Sequence, residues 1–86
     1  MARQTVVVTN ETGLHARPAS EFTKIATSLK CEVFLEKDGR KINAKSILGV
    51  LSLAIVKDSN IDIITEGEGE EEGLAKLVEF VNDLKE

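Results

Sequence analysis

An α+β open-faced sandwich in the order β-α-β-β-α-β-α is the fold this 86-residue chain predicts, and three observations carry it. Segments rich in β-branched or alternating apolar residues occur at 3–9, 31–37 and 60–66. Asp38-Gly39 closes the second of these segments and marks a hairpin into a short return strand. Apolar residues then recur at helical spacing after residue 16 and again after residue 70. One antiparallel sheet with its helices on a single face buries all of these faces at once. The pattern alone leaves the strand order open, a ferredoxin-like order included.

Arg3 to Thr9 contains Val6-Val7-Val8 and reads as a strand. Asn10 to Leu14 is a loop. From Ala16 to about Leu29, Ala19, Phe22, Ile25, Ala26 and Leu29 form one apolar stripe of a helix. Cys31, Val33 and Leu35 alternate with Glu32, Phe34 and Glu36, the mark of a half-buried strand ending near Lys37. In Lys37-Asp38-Gly39-Arg40, the Asp-Gly pair supplies the positive φ of a two-residue hairpin turn. Lys41-Ile42-Asn43 is the return strand. Ser46 suits the N-cap of a short helix holding Ile47, Leu48, Val50 and Leu51. Ile61, Ile63 and Thr65 alternate with Asp62, Ile64 and Glu66 in a fourth strand, and Gly67 to Gly69 is a turn. Glu70, Glu71 and Glu72 suit the first turn of a last helix, where negative charge meets the positive end of the dipole. Leu74, Leu77, Val78, Val81 and Leu84 are its expected buried stripe. The acidic run 66–72 thus has a structural explanation, preferred over a metal or partner site.

Residues 1–86 are expected to form a single domain with a compact core, for which 42% apolar residues suffice. Phe22, Phe34 and Phe80 are the only aromatic residues, which argues against a base-stacking platform for nucleic acid. No apolar run approaches the roughly 18–20 residues of a membrane span, and no signal peptide opens the chain. One His and one Cys cannot build a closed zinc site, and Cys31 has no partner for an internal disulfide. A monomeric cytoplasmic protein without metal or cofactor is the expectation. The net charge of −4 is uneven: residues 1–45 hold eight Lys/Arg and five Asp/Glu, residues 46–86 three and ten. An acidic partner steered to the basic half is one consequence; ordinary surface charge is the alternative.

The one histidine sits in Gly13-Leu14-His15-Ala16-Arg17-Pro18-Ala19-Ser20. Proline is tolerated in a helix only in the first turn, so Pro18 sets the helix start near Ala16 and puts His15 at or beside the N-cap. The first N–H groups of a helix have no intrahelical partner and form a ready anion site. Arg17 adds a guanidinium fork that suits phosphate. A nucleophilic imidazole beside an anion cradle suggests a phosphoryl group carried on the ring. The bland alternatives are a surface histidine, an arginine satisfying nothing, and a Thr12 hydroxyl that bonds local backbone and not a phosphoryl oxygen. Gly13 supplies backbone freedom.

These residues resemble the active-site motif of the histidine-containing phosphocarrier family, HPr, of the bacterial phosphoenolpyruvate:sugar phosphotransferase system. Lys45-Ser46-Ile47-Leu48-Gly49-Val50-Leu51-Ser52-Leu53 resembles the family's regulatory-serine segment. The resemblance spans essentially the whole chain. It implies strand order 1-4-2-3, three helices on one face and phosphorylation at Nδ1 of His15. It also implies Arg17 as the group that stabilises phosphoryl charge in transit, with support from Thr12 and the Ala16 N–H. The implied donor is enzyme I and the implied acceptors are sugar-specific enzyme IIA domains. The chain would be a covalent carrier with no turnover of its own.

Ser46 has two compatible readings, an N-cap and a kinase acceptor whose phosphate would sit at the same helix start. Ile47, Leu48 and Leu51 cannot all face inward from a short helix, so an exposed apolar docking patch is one reading and core the other. The resemblance adds Ser20 and Lys24 to that docking face. It further implies a kinase/phosphorylase and a catabolite-control transcription regulator as partners of Ser46. Many relatives carry methionine at positions 48 and 51 and glycine at 54, where this chain has Leu48, Leu51 and Ala54. Leucine keeps the volume but loses adaptable thioether contacts.

Two rivals belong to other classes. A regulatory HPr-like module would act through phospho-Ser46 alone, but such paralogues typically lack the histidine present here. An acyl carrier is similarly small and acidic, and Asp58-Ser59 superficially resembles its attachment site. Acyl carriers are all-helical, and the alternating segments at 31–37 and 60–66 oppose that reading.

Overall fold

The computed structural model describes residues 1–85. Its elements are β1 (Ala2–Val7), α1 (Ala16–Ser28), β2 (Glu32–Lys37), β3 (Arg40–Asn43), α2 (Ile47–Ser52), β4 (Asn60–Glu66) and α3 (Glu70–Asn82). The strands form one antiparallel sheet in the order β1-β4-β2-β3. Helix α3 packs on β1 and β4, α2 on β3, and α1 lies between them, touching both. This is the open-faced sandwich that pattern and resemblance implied.

Each turn follows from its residues. Asp38 and Gly39 both adopt positive φ, 52° and 84°, which a two-residue hairpin requires between right-twisted strands. Gly69 caps α3 in the left-handed conformation, and Glu70, Glu71 and Glu72 fill its first turn. Strand β1 stops at Val7, two residues before the expected end. Val8 is still held, its N–H donating to Ser59 O at 2.9 Å and its carbonyl accepting from Asp58 N–H at 2.6 Å. There the paired segment at Asp58-Ser59 is turning, so the ladder ends although the pairing continues.

Between sheet and helices lies a core of Val33, Leu35, Ile61 and Ile63 facing Phe22, Ala26, Leu77 and Val81, all buried. Phe22 and Phe80 meet edge-on at 6.1 Å and join α1 to α3. The expected α3 stripe holds, with Leu77 and Val81 buried and Leu74, Val78 and Leu84 partly so, and Phe80 joins it. On the open face, Ile64 alternates outward as expected yet is buried. It lies on the second strand of the sheet, paired to Arg3 on one side and Phe34 on the other, and these longer side chains flank it. Beside it Asp62 accepts from Arg3 and Thr5, and those bonds hold its carboxyl below the ordinary value.

Helix α2 ends against two cations from the β2–β3 hairpin. Lys37 Nζ donates to the carbonyls of Leu53 (3.2 Å) and Ala54 (2.9 Å), and Arg40 to that of Ser52 (3.1 Å). Positive charge at a helix C-terminus satisfies orphan carbonyls and opposes the dipole. Ala54 then turns the chain with φ at 51°, where a Cβ is strained by about 1–2 kcal/mol. Glycine relieves that strain but restores about 0.5–1 kcal/mol of unfolded-state freedom. Ala54→Gly is therefore expected to stabilise by about 0.5 kcal/mol and raise Tm by about 2–4 °C. Thermal denaturation showing a lower Tm would contradict the strain at this position.

Candidate functional site

Helix α1 begins where Pro18 dictates. His15 is its N-cap, with extended backbone (φ −88°, ψ −169°), and its carbonyl accepts from Ala19 N–H at 2.8 Å. The imidazole makes no capping bond and is exposed. Ala16 and Arg17 are exposed in the first turn, while Pro18 and Ala19 are buried against the core. Thr12 is exposed in the preceding turn.

The loop that delivers His15 is held tightly. Gly13 is buried at φ 63° with its Cα pressed on the neighbouring chain; a Cβ there would lie 2.3 Å from Ile55 O and 2.6 Å from Val56 Cα. Glycine at 13 thus serves close approach as well as freedom. Leu14 N–H donates to Ile55 O at 3.0 Å, and the Leu14 side chain enters the core. An ion pair between Lys57 and Glu11 at 3.1 Å links the same two loops, and Glu11 holds the Lys57 ammonium above its ordinary value.

Two contacts set the direction of α2 against α1. Lys45 Nζ donates to the carbonyl of Leu29 at 3.1 Å, so α2 starts beside the end of α1. The Leu14–Ile55 bond places the segment after α2 beside the start of α1. The helices therefore run antiparallel. Ser20 and Lys24 are exposed on α1. On α2, Ile47 (42%), Leu48 (80%) and Leu51 (38%) are exposed and Val50 alone is buried, so the apolar residues form a surface patch and not core. Ser46 is the N-cap of α2, its hydroxyl accepting from Gly49 N–H at 3.2 Å. It lies toward the Leu29 end of α1, the end away from His15.

Sequence reasoning passed over Lys37 and Arg40 as helix caps and Asn10 as a buried residue of the histidine loop. Asn10-Glu11-Thr12-Gly13 did carry a signal, because Asn at the first position and Gly at the fourth is a common type I turn pattern. No group of three His, Cys, Asp or Glu among the described residues is placed to hold a metal ion. No helix among them is long and apolar enough to cross a membrane.

An open-faced sandwich that sets its one histidine at an exposed helix start defines the class of histidine phosphocarriers. The chain belongs to the PTS-HPr family: residues 2–83 match the family described as the PTS HPr component phosphorylation site. It is 47% identical over 83 residues to the HPr-like protein Crh of Bacillus subtilis, covering 96% of this chain and 98% of that one. The crystal structure of a phosphocarrier protein HPr from Bacillus anthracis superposes with a TM-score of 0.90 at 45% identity, covering 93% and 95% of the two chains. A crystal structure of Bacillus subtilis Crh, described as a domain-swapped dimer, gives a TM-score of 0.78 at 45% identity, covering 100% and 99%.

Proposed function

We propose that this chain accepts a phosphoryl group on His15 from phosphoenolpyruvate-dependent enzyme I and passes it to sugar-specific enzyme IIA domains. The observation that supports this is the exposed, uncapped imidazole at the start of α1, beside Arg17, in a chain of the PTS-HPr family. A neutral ring nitrogen forms the new P–N bond as the donor's bond to phosphorus breaks, and the same nitrogen later leaves. Arg17 stabilises the equatorial oxygens in transit, and the first-turn amide of Ala16 and the Thr12 hydroxyl face the same charge. Ser20, Lys24, Ile47, Leu48 and Leu51 form the docking face, an apolar centre with a basic rim. The chain turns over no substrate by itself. Such a relay with enzyme I and enzyme IIA operates in the cytoplasm. Incubation with phosphoenolpyruvate and enzyme I, followed by phosphosite mapping, tests the reading; it is expected to give one acid-labile phosphate on His15, and a phosphate elsewhere would overturn it.

The 47% identity to an HPr-like protein Crh favours a second, compatible role through Ser46. In it a kinase/phosphorylase modifies Ser46 and a catabolite-control transcription regulator reads the product. The presence of His15 argues against regulation as the sole role. We take the carrier as a monomer in solution. Sedimentation at micromolar concentration checks this, and a dimer would align it with the swapped assembly of its Crh relative.

Phosphate on Ser46 is expected to inhibit phosphorylation of His15 through the docking partner and not within the chain. His15 and Ser46 lie toward opposite ends of the antiparallel helix pair. Aspartate is itself a good N-cap, so Ser46→Asp keeps α2 intact. Acceptance from enzyme I should fall about fivefold at low ionic strength and recover to within about twofold in high salt. Circular dichroism and Tm should match wild type. Equal acceptance rates at low salt would refute the electrostatic account, whereas a large unfolding signal would make Ser46 a structural cap only.

A further inference from the structure

We propose that Asn10 is a positioning residue for phosphoryl transfer: its side-chain amide fixes the turn that presents His15. The inference rests on His15 as the site of transfer and adds a residue that acts on it only through the backbone.

Asn10 is 5% exposed, and only Thr23 and Thr65 share its place among buried polar or charged residues in the described chain. It lies two residues after Val8, which is bonded through both its N–H and its carbonyl to Ser59 and Asp58. Its carbonyl accepts from Gly13 N–H at 3.3 Å. Its Nδ2 donates to the Gly13 carbonyl at 2.9 Å. A carbonyl only accepts, so the amide nitrogen must face Gly13. Both polar backbone groups of Gly13 thus end on one residue. The next amide, of Leu14, is fixed on Ile55 O, and the next carbonyl, of His15, accepts from Ala19.

A glycine is needed at 13 because nothing larger fits, but glycine is also the residue least able to hold its own conformation. The Asn10 amide supplies the constraint that the glycine lacks. A residue whose amide specifies one loop geometry is suited to pre-organisation, since transfer rate depends steeply on where the attacking nitrogen sits.

The test measures His15 phosphorylation by enzyme I and phosphoenolpyruvate in wild type, Asn10→Ala and Asn10→Leu, together with hydrogen exchange of the Leu14 and Ile63 amides. Asn10→Leu keeps a side chain of similar size and removes the amide that donates to Gly13 without adding charge. In both variants kcat should fall about tenfold. The KM for the carrier should stay within about twofold, because the α1 and α2 docking residues are untouched. The Leu14 amide should exchange about tenfold faster while Ile63 is unchanged, and Tm should move by no more than a few degrees. Wild-type kcat in either variant overturns the proposal. So does a loss of kcat that comes with faster exchange at Ile63, which would mark general destabilisation. Wild-type protein that takes no phosphate on His15 instead refutes the underlying reading, a result separable from an ineffective Asn10 substitution.

Discussion

His15→Ala is expected to reduce phosphoryl uptake from phosphoenolpyruvate and enzyme I to background while the fold stays intact. The imidazole is exposed and makes no capping bond, so its removal leaves no cavity and breaks no helix cap. The stability change should lie within about 0.5 kcal/mol, as for ordinary surface substitutions. No other histidine exists in the chain to take the group. Acid-labile label retained by the alanine variant would exclude His15 as the carrier residue. A loss of uptake accompanied by a large fall in Tm would show that the histidine is structural instead.

Gly13→Ala is expected to have the largest effect on stability of any single added methyl group in the histidine loop. The new Cβ would lie 2.3 Å from Ile55 O, 2.6 Å from Val56 Cα and 2.9 Å from Val56 C. All three are backbone atoms, so no side-chain rotation relieves the overlap. Strain at φ 63° adds to the clash. Together they should cost about 3 kcal/mol or more. For a domain of this size that lowers Tm by roughly 12–24 °C. Separation of the two loops also breaks the Leu14–Ile55 hydrogen bond, so transfer should fall even at temperatures where the variant remains folded. Thermal melts and transfer kinetics near wild type would show that the loops are not in the contact described.

The α1 start was legible because proline admits one place in a helix, and Pro18 put His15 at the N-cap where the structure has it. Asp38-Gly39 was equally readable, since few dipeptides accept two positive φ angles in succession. Ser46 was readable as a cap by its chemistry. Asn10 was not, because an asparagine in a loop is usually solvated and nothing in its local sequence records that it is buried. Lys37 and Arg40 were hidden for the same reason. Their role needs the hairpin to lie across the end of α2, and nothing local in either segment encodes that contact.

By itself the sequence determined the order of elements, the faces that α1, β2, β4 and α3 bury, the site of the histidine at a helix start, and the membership that its two motifs announce. Those features depend on residues within a few positions of one another, where dihedral preference and hydrophobic period act directly. Only the tertiary structure decided that α2 lies antiparallel to α1 with Ile47, Leu48 and Leu51 outward, that Ser46 lies toward the end of α1 away from His15, and that Gly13 is pinned between Asn10 and the Ile55–Val56 backbone. These are contacts between distant segments. They are selected by which close approaches the packed chain permits, and a local pattern holds no record of them.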